Sequence, residues 1–107
     1  MAEPLPTLAE ALDDEAAAID GLDRRATGDG GVEWSVGDVV VAALTGRRAD
    51  FRLSPAVVAA ALRTPDTTPS ARGAGWVAFE PLEIDGHALD RAIAWLGSAA
   101  RRVASDR

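Results

Sequence analysis

The sequence predicts an α+β domain in which an antiparallel sheet of about four strands is covered by helices. Three observations lead there. Leu5, Leu8, Leu12, Ala16, Ile19 and Leu22 recur at spacings of three and four, which lines up one apolar stripe of a helix. Between Val32 and Leu53, three extended segments are joined by short turns, the pattern of an antiparallel meander. Finally, Gly75-Trp76-Val77-Ala78-Phe79-Glu80-Pro81 places two large aromatic side chains on a short extended run, and a long amphipathic stretch follows it.

In chain order, Thr7-Leu8-Ala9-Glu10 fits a capping box, and the first helix is expected from Leu8 to Asp20 with Gly21 as its stop. Three glycines within Thr27 to Gly31 predict a loop. Val32, Trp34 and Val36 alternate with Glu33 and Ser35, as in a half-buried strand, and Gly37-Asp38 connects to the β-branched run Val39 to Leu44. After the turn Thr45 to Arg48, the segment Asp50 to Leu53 sets Phe51 and Leu53 against Asp50 and Arg52. Ser54-Pro55 opens a short helix, Pro55 to Arg63, because serine caps and proline is tolerated in the first turn. Thr64 to Gly75 has no periodic pattern and is expected to be a long loop. In the next strand Val77 and Phe79 share one face and Trp76 and Ala78 the other, so both sides can be covered, as in a central strand. Asp85 is the expected cap of the last helix, His87 to Ala104, along which Leu89, Ile93, Leu96, Ala100 and Val103 form the apolar stripe.

With 107 residues the chain fits a single domain, 1–107, with residues 1–6 as a flexible leader and 64–75 as its one long loop. Cysteine is absent, which removes disulfides, thiolate nucleophiles and cysteine-ligated zinc. The opening residues lack a basic region followed by an apolar run, and no apolar stretch approaches about 18 residues, so a soluble cytoplasmic protein without a membrane span is expected. The net charge is −6, but residues 1–23 hold seven acids and no base, so the acidity belongs to the first helix. Such a run reads as a solvated helix face. The overall charge disfavours nucleic acid, whose phosphates need a basic surface.

Glu80, Glu83, Asp85, His87 and Asp90 lie within eleven residues, which invites a metal reading. Acids gather ahead of helices for capping and dipole reasons, and there is no second histidine, so no metal or cofactor is expected. No serine sits in a Gly-x-Ser-x-Gly setting, and His87 is the only imidazole; a small enzyme using His87 with Glu80 or Glu83 stays an alternative. Arg72-Gly73-Ala74-Gly75 precedes a strand, whereas a dinucleotide fingerprint follows one. What remains is the arginines beside the long loop. Arg52, Arg63 and Arg72, with Trp76, are the expected ligand-binding set, because guanidinium forks suit carboxylate or phosphate. The competing account pairs Arg72 and Arg52 with Glu80, Asp50 or Glu33, pinning the loop to the sheet. Trp34, Trp76 and Trp95 either line a pocket or fill the core. The leading expectation is a non-enzymatic module that binds a protein partner or a small anionic ligand, with a homodimer through the last helix as a further possibility.

Asp50-Phe51-Arg52-Leu53-Ser54-Pro55, the Gly75-Trp76-Val77 strand and the helix after it resemble the MmcQ/YjbR-like group of small proteins over residues 32–104. The resemblance implies a frataxin-like α+β fold, a sheet with helices on one face, and a suggested DNA-binding role. Members commonly carry a lysine near the position of Arg52 and a Ser-Tyr pair in the last helix; here Ser98 is followed by Ala99, and the chain has no tyrosine. There is also a distant similarity to small uncharacterised domains labelled luciferase-like, which implies no light-producing chemistry.

Overall fold

A computed structural model describes residues 4–105, so the first three residues of the expected leader lie outside it. Pro4, Leu5 and Pro6 are exposed ahead of the first helix, α1 (Leu8–Ala17). The capping box forms: the Thr7 hydroxyl accepts from the Glu10 amide at 3.1 Å, and the Glu10 carboxylate accepts from the Thr7 amide at 2.9 Å. Leu8, Ala11, Leu12 and Ala16 form its buried stripe.

α1 ends three residues short of its expected limit, Asp20. The Ala18 and Ile19 amides donate to carbonyls three residues back, a tightened last turn, and Gly21 at φ 81° then reverses the chain. That reversal frees β1 (Leu22–Ala26), a strand that the sequence pattern does not predict, since only Leu22 of its five residues is even partly buried.

The rest of the chain gives β2 (Val32–Val36), β3 (Val39–Thr45), β4 (Arg48–Arg52), α2 (Pro55–Ala61), β5 (Thr67–Pro69), β6 (Trp76–Phe79) and α3 (Gly86–Ser105). The strands form one antiparallel sheet in the order β1-β2-β3-β4-β6-β5. Among the described residues there are therefore six strands where about four were expected. Both additions are edges, and β5 lies inside the segment expected to be a loop. The tryptophan-bearing strand β6 is an inner strand, paired on both sides, but it stands next to one edge of the sheet instead of at its centre.

One face of the sheet is covered. Ala49, Phe51, Val77 and Phe79 are fully buried there, and Trp95 of α3 meets Phe51 and Phe79 edge-on at centroid distances of 5.9 and 5.3 Å. A bulge opposite Trp34 and Ser35 gives β3 the extra residue Val41, and the whole run Val41 to Leu44 is buried. α1 packs beside α3, and the Asp85 carboxylate caps α3 by accepting from the Ala88 amide at 2.8 Å. At the other end of α3, Arg102 donates to the Leu53 carbonyl at 3.0 Å, tying the helix to the end of β4.

Gly97 lies buried in the middle of α3, yet a methyl group added there would meet only the Arg101 guanidinium, at 3.0 Å. A flexible side-chain tip can move aside, while glycine in a helix interior costs roughly 0.5–1 kcal/mol relative to alanine. Gly97→Ala is therefore expected to stabilise the domain by about that amount, read as a higher urea midpoint at unchanged slope.

Candidate functional site

The helices leave the second face of the sheet to polar side chains. Alternation along β4 sends Ala49 and Phe51 to the core and Arg48, Asp50 and Arg52 to this uncovered face. The pairing register then decides what stands beside them. Asp50 is opposite Ala43 on one side and Ala78 on the other, Arg52 is opposite Trp76, and Glu33 is opposite both Ala43 and Arg25. Small residues between the charged ones leave room for long side chains to lie across the sheet.

The segment after β5 folds back over this face. The Ser70 amide donates to the Trp76 carbonyl at 3.1 Å and the Leu53 amide to the Gly75 carbonyl at 2.8 Å, with Gly73 and Gly75 at φ 128° and 83°. These left-handed positions favour glycine, which explains Arg72-Gly73-Ala74-Gly75 as turn chemistry. The turn brings Arg72 over the ring of Trp76, 5.2 Å from its centroid.

A continuous ion-pair network results. Arg25 and Arg72 donate to the two Glu33 oxygens at 2.9 and 3.0 Å, and Arg72 Nε lies 4.0 Å from Asp50 Oδ2. Arg48 Nε reaches the same Asp50 oxygen at 3.4 Å, while the Ser70 hydroxyl donates to Asp50 Oδ1 at 3.0 Å. The Ser70 hydroxyl oxygen also accepts from the Arg72 amide at 3.1 Å. The Arg25 guanidinium, followed by that of Arg72, holds the Glu33 carboxyl below its usual range. Asp50 is the deepest charge, with 3% of its surface exposed.

Between Arg48 and Arg72 lies a hollow of about 400 Å³, lined also by Asp50, Thr68, Ser70 and Ala78. A larger one, about 530 Å³, is lined mainly by Leu5, Pro6, Leu8 and Ile84; its one charged side chain is Arg47, which donates to the Leu82 carbonyl. The smaller hollow has the convergent polar groups that orient a ligand, and the larger does not.

Of the expected binding set, Arg52, Arg72 and Trp76 share the uncovered face. Arg63 is exposed in the turn that ends α2 and makes no side-chain hydrogen bond or ion pair among the described residues. Arg72 follows the competing account, pairing with Glu33 and Asp50, whereas Glu80 takes no part in the network. The three tryptophans separate: Trp34 and Trp95 lie on the covered side and Trp76 on the other. Arg48 and Ser70 were not among the expected site residues. Arg48 reads as a turn residue and Ser70 as part of the long loop, and only the sheet register and the fold-back bring both to Asp50.

His87, Glu80 and Glu83 are all exposed, and among the described residues no group of three histidine, aspartate or glutamate side chains could hold a metal ion. Among the described residues no helix is long and apolar enough to cross a membrane. The acids of α1 belong to the covered side, where Asp13 pairs with Arg24 at 2.8 Å. No family model, no curated protein and no solved structure matches this chain.

Proposed function

We propose that this domain is a non-enzymatic binding module that holds a small anionic ligand, a carboxylate or a phosphate, between Arg48 and Arg72. The observation that carries the reading is the way the two guanidiniums are held. Each presents its Nε edge to Asp50, and Arg72 gives one Nη2 bond to Glu33. The remaining terminal N–H groups have no protein acceptor among the described residues, and both arginines line the hollow. Carboxylates behind arginines orient them, so less side-chain freedom is lost when an anion binds. Trp76 supports the flat side of Arg72, and Arg52 beside it adds positive charge.

The face as a whole carries Arg25, Arg48, Arg52 and Arg72 against Asp23, Glu33 and Asp50. A polynucleotide needs a continuous basic track, and three interspersed acids break this one. A hollow of about 400 Å³ instead suits a compact ligand.

Thermal shift and calorimetric titration with inorganic phosphate, acetate and citrate test the proposal. At least one should raise the melting temperature saturably. Arg48 is half exposed, so Arg48→Gln should fold normally. Losing one charged hydrogen bond, worth about 1.5–3 kcal/mol, should weaken binding about tenfold or more. No shift with any probe, or undiminished binding by Arg48→Gln, overturns the reading.

A further inference from the structure

Resting on that reading, we infer that the ligand is a small zwitterion of the α-amino-acid class, its carboxylate on Arg48 and Arg72 and its ammonium on Asp50. The two oxygens of Asp50 are served unequally. Oδ1 accepts a 3.0 Å bond from Ser70, whereas Oδ2 has only Arg48 Nε at 3.4 Å and Arg72 Nε at 4.0 Å. Charge-assisted N–H···O bonds ordinarily close to about 2.7–2.9 Å. Oδ2 is therefore an anionic acceptor without a short donor, on a side chain that is 4% exposed and borders the hollow.

A carboxylate buried this deeply prefers a full set of donors, and an ammonium carries three. The charges that would receive the ligand's two ends are also close together. Both arginine Nε atoms are within 4.0 Å of Oδ2, and the terminal nitrogens of each guanidinium are two covalent bonds from its Nε. The opposite charges of an α-amino acid are separated by a similar distance, and the molecule can bridge both without moving the backbone. Thr68, on the β5 strand, supplies a neutral hydroxyl at the rim. Ala78 keeps the floor small. A ligand with only a negative charge would leave Oδ2 unfilled and would sit beside a carboxylate of like sign.

Matched probes separate the two ideas. The intact protein is titrated with glycine, alanine and serine, with acetate and propionate as the carboxylate halves, with methylamine and ethylamine as the amine halves, and with phosphate. The amino acids should bind at least about tenfold more tightly than either half. Asp50→Asn keeps the shape and one acceptor, and should remove most of the preference for the amino acids over their carboxylate halves. Arg48→Gln should weaken amino acids and acetate alike. If acetate or phosphate binds as tightly as the amino acids, or if Asp50→Asn leaves the amino-acid affinity unchanged, the zwitterion assignment fails and the anion site stands. If none of the probes binds, both fail. Should Asp50→Asn not fold, glycine against glycolate on the unaltered protein gives the same decision, because a hydroxyl of similar size replaces the ammonium and the carboxylate is kept.

Discussion

Phe51→Ala is expected to cost about 3–5 kcal/mol, the usual range for truncating a buried phenylalanine. A domain of this kind has only about 5–15 kcal/mol of total stability, so the variant should be marginal at 37 °C or unfolded. The reason is position. Phe51 is fully buried at the junction of the sheet and α3, with the edge of Trp95 against it and Val77 opposite it on β6. The cavity would open under the longest helix, where the sheet cannot move inward without breaking the β4 ladder. Leu82→Ala is the control. That side chain is also large and apolar but 82% exposed, and its loss should stay within about 0.5 kcal/mol. Urea unfolding followed by tryptophan fluorescence measures both, and equal costs would mean that the core is misplaced.

Arg72→Ala is the second large effect, and it concerns the other face. The substitution removes the 3.0 Å bond to Glu33, the 4.0 Å approach to Asp50 and the cover of Trp76. Each acid keeps other partners, Arg25 for Glu33 and Arg48 and Ser70 for Asp50, and Arg72 itself is one-third exposed. Solvent screening and the surviving contacts limit the cost to about 1–2 kcal/mol at pH 7. Ligand binding in the hollow should be lost with it.

The pH dependence separates this network from ordinary surface charge. Glu33 is held below its usual carboxyl range in the folded state by Arg25 first and Arg72 second. A lowered folded value contributes stability at any pH above the unfolded value of 4.5, and the contribution is lost as pH falls through the folded value. The unaltered protein should therefore lose stability below about pH 4.5. The gap between it and Arg72→Ala should be widest near neutrality and narrow in acid. Glu10, held down by the Thr7 amide and hydroxyl, and Asp29, held down by the Thr27 hydroxyl and the Gly31 amide, push in the same direction. Glu10 acts alike in the two proteins, and for Asp29 the Arg72 charge is only the smallest of its causes, so the difference between the acid curves belongs to Arg72 and the carboxylates it faces, Glu33 first. A constant gap from pH 7 to pH 3 would show that the pairing contributes nothing.

Much of the covered half of this fold was legible from short-range patterns. Thr7 with Glu10, Ser54 with Pro55, and Asp85 announce helix starts because a cap involves residues three apart at most. The inner strands β2, β3, β4 and β6 announce themselves because burial on one or both faces demands apolar residues at fixed intervals. The edges did not. Leu22-Asp23-Arg24-Arg25-Ala26 has no alternation to read, and Thr67 to Pro69 is three residues long and ends in proline. Such segments become strands only when a neighbour offers its unpaired edge.

The site divides in the same way. Composition and chemistry single out Arg52, Arg72 and Trp76 by residue type, since guanidiniums and an indole are the groups available for an anion. Which acids they meet depends on register, because Arg72 and Glu33 are 39 positions apart in the chain and β3 and β4 stand between β2 and β6 in the sheet. By itself the chain determined where its helices begin and which residues must hide from water, since both are set by neighbours within a turn or two. Only the tertiary structure decided how many strands the sheet has and that Asp50 is the buried floor of a polar hollow. Hydrogen-bond pairing between distant segments carries that information, and no local pattern records it.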